Sequence, residues 1–266
     1  MRRAGLVLLV AFTLFPFLWA LLASFRPEAE LFGGASLIPA QLTLEHYRAL
    51  FEQRAFWIPI RNSLIVAAVT TFFCIVVGSL AAYALARLDF RGRHFILGFI
   101  LAVTMFPQIS IVNPLFLLLR TLRLIDTYPG LILPYLTFAM PLTVWLLVGY
   151  FRQIPSELEE AARIDGASRT GAFLRIIMPL AVPGVATTAI LTFIYCWNEF
   201  LFALSFTTSS DRQTVPVAIA LFRGRYEVPW GEILAAAIIT TIPVAALVLI
   251  AQRRIVQGLT SGGVKG

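Results

Sequence analysis

Glu199 is the one acidic residue deep inside a long apolar run of this 266-residue chain, and it closes a polar series. Thr188, Thr192, Tyr195 and Glu199 follow at spacings of four, three and four, which on an α-helix lines them along one face. At 1.5 Å per residue, Glu199 lies roughly 22 Å along such a helix from Gly184. A charged side chain costs about 2.5–3.5 kcal/mol at the centre of a bilayer on insertion scales, so it must face protein or water. With Trp197 and Asn198 beside it, the stripe offers hydroxyl, amide, carboxylate and aromatic groups to a hydroxylated solute. It fits interhelical adhesion equally well, because polar side chains also join membrane helices.

A second constellation lies in residues 152–182, the most charged stretch of the chain. It begins Pro155-Ser156-Glu157-Leu158-Glu159-Glu160-Ala161-Ala162-Arg163-Ile164-Asp165-Gly166. Ser156 followed three residues on by Glu159 predicts a capping box, and the clustered glutamates suit the positive end of a helix. Leu158, Ala161, Ala162 and Asp165 share one face, a mostly small-residue stripe. Gly166 ends the helix or turns the chain sharply, since glycine alone takes positive φ without steric cost. Ser168 to Ile177 predicts another short helix before Pro179 and Pro183 open the next long one. Small side chains would let such a helix pair seat closely in a groove on a partner and pass the partner's movement onward. An amphipathic helix resting on lipid headgroups would read the same way.

Enzyme chemistry finds no footing in the residues. His46 and His94 have no His or Cys ligand spacing around them, and Cys74 and Cys196 lie in apolar runs, unlike a disulfide framework or a metal site. G-x-x-x-x-G-K-[ST], G-x-S-x-G and an intramembrane Asp pair are all absent, and Ser261-Gly262-Gly263 opens no helix that would make it a phosphate cradle.

The elements that must position these groups are set by composition. Hydrophobic residues make up 59% of the chain and charged ones 13%, with mean hydropathy +0.85. Soluble domains average about 45–50% apolar and about 25% charged. That excess excludes soluble, disordered and coiled-coil classes and leaves an all-α polytopic membrane protein. Six apolar segments approach the ~20 residues that cross ~30 Å of hydrocarbon: about 4–25, 62–86, 95–119, 130–151, 183–207 and 232–251. The first is too long for a signal peptide h-region and lacks a small-x-small cleavage site, so it is read as an uncleaved helix. Val215 to Phe222 is too short to span and reads as interfacial or re-entrant. In the second span, the small pairs Ala67/Thr71 and Gly78/Ala82 favour close packing. In the third, Pro107 and Pro114 predict kinks beside Gln108 and Asn113. No repeat suggests duplicated halves, and no linker divides the chain, so residues 1–266 read as one transmembrane domain.

Six spans put both termini on one side. With that side cytoplasmic, twelve of the 21 Lys and Arg lie inside, and the tight Arg87, Arg91, Arg93 cluster carries most of the orientation signal. Residues 26–60 and 208–231 then face outward. The net charge of +7 is a statement about topology before it is one about nucleic acid, and no nucleic-acid partner is expected.

Glu160-Ala161-Ala162, three residues, Gly166, nine residues, then Ile176-Ile177-Met178-Pro179 resembles the EAA loop of ABC importer permeases, with Met178 where leucine is usual. The tail Gln252 to Gly266, Trp197-Asn198-Glu199-Phe200 and Gln213-Thr214-Val215-Pro216-Val217 are similar to the maltose-type, six-span carbohydrate branch of that family. The resemblance covers nearly the whole chain and implies the type I ABC importer architecture of six transmembrane helices in the cell membrane, with both termini cytoplasmic. By resemblance, Glu160, Ala161, Ala162, Asp165 and Gly166 dock on a cytosolic ATPase, and Gly262, Gly263, Val264 and Lys265 touch the same subunit, unless that glycine-rich tail is simply frayed. Thr188, Thr192, Tyr195, Asn198 and Glu199 become pathway candidates for a sugar, or for glycerol-phosphate as in some relatives. Implied partners are a second permease forming a heterodimer, two ATPase subunits holding ATP and Mg, an extracytoplasmic sugar-binding protein and membrane lipid. No cofactor is implied in this chain, and no catalytic role. An ion- or proton-driven secondary transporter, with Glu199 as its titrating group, is the competing class.

Overall fold

A computed structural model describes residues 2–31, 39, 41–222 and 228–261, and every described element is helical. In chain order the helices are α1 (Arg2–Ala23), α2 (Glu28–Leu31), α3 (Glu45–Glu52), α4 (Trp57–Arg87), α5 (Arg93–Thr104), α6 (Gln108–Thr121) and α7 (Tyr128–Gln153). They continue with α8 (Ser156–Ile164), α9 (Arg169–Ala172), α10 (Met178–Trp197), α11 (Leu201–Phe206), α12 (Val215–Ala220) and α13 (Trp230–Ser261). A π-helical turn, Phe173–Ile177, welds α9 to α10. Five helices among the described residues are long and apolar enough to cross a membrane, and there are six if the bent pair α5 and α6 counts as one span.

The backbone chemistry of lipid explains the all-helical choice, since each unpaired N–H or C=O in hydrocarbon costs several kcal/mol. The central block is α4 against α7, with α10 packed on both. Close approach there rests on small residues. A Cβ on Gly78 would sit 3.1 Å from Thr143 Cγ2, and Ala67 and Ala82 are fully buried. Gly184 of α10 lies so near the Tyr150 ring that a Cβ would come within 2.5 Å of it. α1 and the body of α13 stand at the edge, with side chains such as Phe12, 81% exposed, left for lipid or a partner.

Two expected spans are revised. The third, 95–119, is not one kinked helix: α5 and α6 meet at 92° around Met105–Pro107. Pro107 supplies no N–H, and its ring disfavours a helical residue before it, so the ladder stops there. Pro114, by contrast, is carried inside α6. The fifth expected span, 183–207, is shifted. The apolar helix begins inside the polar stretch at Arg169, runs to Trp197 and breaks at Asn198–Phe200. Asn198 closes it, its amide donating to the Ile194 carbonyl at 2.8 Å.

At the end of the bundle opposite α8, one fully buried asparagine organises the connections. Asn62 Nδ2 donates to the carbonyls of Asp211 and Gln213, both at 2.9 Å, and its oxygen accepts from the Tyr128 hydroxyl at 2.8 Å. Asp126 ties the α6–α7 turn to the same loop by accepting from the Thr208 and Ser209 amides at 2.9 and 3.1 Å. Burial alone would raise the Asp126 pKa. The Ser209 and Thr208 hydrogen bonds and the Arg212 guanidinium outweigh it and hold the carboxyl below its ordinary value. The start of α13 is lashed here too: Glu28 accepts from the Trp230 and Gly231 amides, Arg54 pairs with Glu232, and His46 packs on Gly231.

Two stability outcomes follow. A Cβ on Gly130 would stand 2.0 Å from the Leu124 carbonyl oxygen, which is backbone and cannot turn aside. Gly130→Ala should therefore cost about 1–3 kcal/mol in thermal unfolding of the purified protein, whereas Gly149→Ala, with open space around it, should be neutral. Because the folded pKa of Asp126 is depressed, its stabilisation is fully present above the unfolded value and is lost as pH falls through the folded one. Asp126→Asn should therefore lower stability at neutral pH, where the carboxylate contacts are intact, and flatten the acid limb of unfolding below about pH 4, so that variant and parent converge in acid.

Candidate functional site

The α8 element is built by its ends. Its C-terminus is a Schellman motif, in which Ala167 N–H donates to Ala162 C=O at 2.9 Å and Gly166 N–H to Arg163 C=O at 3.1 Å. Gly166 occupies the left-handed position at φ +90°, where any L side chain is strained. Ser168 then caps α9, accepting from the Gly171 amide at 3.1 Å. These local devices fix the angle between α8 and the helix that continues into α10.

The N-terminus differs from the sequence expectation. Pro155 is the cap residue, Ser156 is already inside the helix, and no capping box forms. Glu159 is taken by tertiary contacts instead. Its carboxylate accepts from the Tyr83 hydroxyl and lies 3.9 Å from the Arg87 guanidinium, which also donates to the Ile154 carbonyl. The Tyr83 ring lies 4.8 Å from Phe173, and Phe151 meets Phe173 edge-on at 6.2 Å. The segment is thus clasped to α4 by Glu159, and its continuation is gripped by α4 and α7 through an aromatic in the π turn. One consequence for the expected docking stripe is a division of the three motif residues. Glu160 and Ala161 are exposed with Leu158, Asp165 and Gly166, while Ala162 turns half into the body with Glu159. Ile164, 86% exposed, joins the outward face, which spacing alone had not singled out.

The expected polar stripe is not one face. Thr188 and Thr192 are buried: Thr188 donates back to the Gly184 carbonyl, and Thr192 shares a 2.9 Å hydrogen bond with Thr143 of α7. That is interhelical adhesion. Glu199 lies beyond the end of α10, so the spacing argument no longer applies to it. It is buried and accepts from the Phe202 and Ala203 amides at 2.8 and 3.1 Å, holding the first turn of α11. The Tyr135 hydroxyl approaches it without good hydrogen-bond geometry. Trp197 is sealed in a core with Leu50, Phe56 and Val215, and Asn198 is exposed.

Of the stripe, Tyr195 lines a cavity. A hollow of about 330 Å³ sits at the α5–α6 break and is lined by Thr104, Gln108, Phe138, Trp145 and Tyr195 among others. Gln108 Nε2 donates to the Tyr195 hydroxyl at 2.6 Å. Gln108 stood out in the sequence as a polar residue beside Pro107, but Trp145, 37 residues away, gave no signal. A second hollow of about 380 Å³ lies at the far end, between Gln53 and Arg54 on one side and Ser210, Asp211 and Phe222 on the other. It brings together the two expected outer stretches. Among the described residues no His/Cys/Asp/Glu group could hold a metal ion. Gly262, Gly263, Val264 and Lys265 lie outside the described residues.

A helical bundle with apolar spans, broken helices and a clasped surface helix pair defines a polytopic membrane protein. The chain belongs to the family described as "Binding-protein-dependent transport system inner membrane component", which it matches over residues 74–261. It is 49% identical over 261 residues to the trehalose transport system permease protein SugB of Mycobacterium tuberculosis, covering 97% of this chain and 95% of that one. It is 44% identical over 265 residues to the trehalose/maltose transport system permease protein MalG of Thermococcus litoralis, covering 98% and 95%. In fold it is similar to a bacterial ABC transporter involved in the import of the acidic polysaccharide alginate, with TM-score 0.81 and 22% identity over 95% of this chain and 94% of that one.

If Glu159 is the clasp, Glu159→Ala should raise amide hydrogen exchange across residues 156–168 by roughly tenfold or more at neutral pH, the size of about 1.4 kcal/mol of local stability. Glu157→Ala, at an exposed position of the same helix, should leave that exchange unchanged.

Proposed function

We propose that this chain is one membrane subunit of an ATP-driven, binding-protein-dependent importer that carries a neutral sugar. The relatives' named cargoes, trehalose and maltose, support the cargo class. The observation that carries the coupling role is the clasped, glycine-terminated α8. Its exposed face, Leu158, Glu160, Ala161, Ile164, Asp165 and Gly166, is small or apolar with an acidic rim, the right shape for seating in a groove of an ATPase subunit. A groove that grips α8 would pull α4 through Glu159 and α10 through the π turn. Closing and opening of the ATPase pair would then tilt those two spans and expose the passage alternately to each side.

In this reading the α8 end, the chain termini and Gly262, Gly263, Val264 and Lys265 face the cytoplasm. The hollow between the Gln53–Arg54 turn and residues 210–222 belongs to the outer surface that receives the sugar-binding protein. A second permease completes a heterodimer and the other half of the passage, two ATPase subunits bind ATP and Mg, and this chain itself binds no cofactor and does no chemistry. In this reading Glu199 anchors the first turn of α11 through both its oxygens rather than carrying protons.

Gly166→Asp places a charged side chain on a left-handed residue at the turn of the docking face. In proteoliposomes holding the complete complex and its binding protein, sugar uptake should fall at least about tenfold, the loss of one or two good contacts, while the two permeases still co-purify. Ala161→Cys should cross-link to the ATPase subunit. Normal uptake by the Gly166→Asp complex, or capture of no ATPase from Ala161→Cys, would overturn the coupling role.

A further inference from the structure

We propose that the cavity at the α5–α6 break is a sugar subsite contributed by this chain, in which the Trp145 indole supports a sugar ring while Gln108 and Tyr195 hydrogen-bond its hydroxyls. The subsite deepens the importer reading and rests on it.

The first support is the broken backbone. The Met105 and Phe106 amides close tight turns onto the Ala102 and Val103 carbonyls, and Pro107 has no amide to give. The regular ladder is interrupted in the middle of an apolar crossing, at a 92° bend. Non-helical backbone at that depth survives only where it is buried in protein or lines a watered cavity. The break therefore calls for protein or water beside it rather than lipid, and the hollow supplies room for water or a solute there.

The second support is the chemistry of the lining. Gln108 spends one amide hydrogen on the Tyr195 oxygen, which leaves its carboxamide oxygen as an acceptor and the Tyr195 hydroxyl proton as a donor. Thr104 adds a hydroxyl whose proton goes to the Leu101 carbonyl, leaving oxygen lone pairs. No charged side chain lines the hollow, so nothing there selects a phosphate or carboxylate. Acceptor, donor and a half-exposed indole, 47% accessible, together match a ring with an apolar face and hydroxyl edges. The volume, about 330 Å³, lies at the low end of ligand pockets, which run from about 300 to 1,000 Å³, and suits a small sugar unit.

The third support is what the other candidates lack. Thr188 and Thr192 are sealed between helices, and Glu199 is engaged by backbone amides, so none of them offers a free group to cargo. Of the expected pathway residues, Tyr195 lines this hollow.

The test uses the complete importer in proteoliposomes, with its binding protein and radiolabelled trehalose or maltose as cargo. Trp145→Ala and Gln108→Leu should each lower uptake at least about tenfold, the size of one lost stacking or hydrogen-bond contact, while Trp145→Phe stays within about threefold. ATP hydrolysis stimulated by the binding protein should remain within about twofold in all three, because cargo contact and coupling are separate steps. Unchanged uptake in both truncations would overturn the subsite. A joint fall of uptake and stimulated hydrolysis would assign the residues to conformational change, and loss of the second permease on purification would assign them to the subunit interface; either overturns it. Failure of the importer reading looks different: the parent complex would then take up neither sugar.

Discussion

One carboxylate decides whether the surface helix pair is part of the bundle or merely attached to it. Glu159 is shared between the Tyr83 hydroxyl and the Arg87 guanidinium, in a setting where the side chains of Glu159 and Arg87 are 13% and 9% exposed. Partly desolvated charge pairs resist removal of one partner far more strongly than surface pairs do, because the survivor is left without compensation. The clasp holds α8 at one place, and the π turn holds its continuation at another. A rigid body needs at least two such fixings, and here both lie on spans of the central α4–α7–α10 block. Force applied to α8 therefore reaches the bundle interior without first unfolding a loop.

The rest of the molecule divides by how its polar groups are satisfied. In the central block some are paired across elements, as Thr143 with Thr192 and Asn62 with the 211–213 loop, while hydroxyls such as those of Thr70 and Ser79 are buried by packing alone. Packing there is tight enough that Gly78 and Gly184 have no room for a methyl group without movement of a neighbour. On the side of the α5–α6 elbow the opposite holds: a backbone break, an amide and hydroxyls that keep spare hydrogen-bonding capacity, and large exposed side chains such as Met105 at 84%. The tightest packing thus lies in the α4–α7–α10 block, and exposed polar capacity lies beside the hollow.

The architecture was legible in the sequence because its signals are long: twenty consecutive apolar residues outweigh any local preference. Gly166 was legible for a different reason, since a positive-φ turn after an amphipathic segment has few other solutions. Local patterns that tertiary contacts could reassign were read wrongly. Ser156 and Glu159 have capping-box spacing, yet Tyr83 and Arg87, more than seventy residues earlier, offered the carboxylate stronger partners. The Thr188 to Glu199 series has perfect helical spacing, but nothing in Asn198-Glu199-Phe200 announces that the helix stops, as no proline or glycine marks the place. The hollow was illegible in principle: Gln108, Trp145 and Tyr195 come together only because α5 and α6 part at 92°.

The two interruptions, at Pro107 and at Asn198–Phe200, share a logic. Each ends a helix within the apolar region and begins another, and each is stabilised by a side chain rather than by the ladder. Gln108 reaches across to Tyr195, and Glu199 collects the first amides of α11. Tyr195 stands in the last turn of α10 and Glu199 just past its end, so both interruptions are tied to the same end of α10. An α-helix under load transmits displacement along its axis, while a break allows the pieces to change angle at the cost of a few side-chain contacts. Under the proposed importer function, placing both breaks next to the hollow, and the clasp and π turn at the opposite end of α10, would put the compliant part of the bundle where a solute is admitted and released. The stiff part would then stay where force enters.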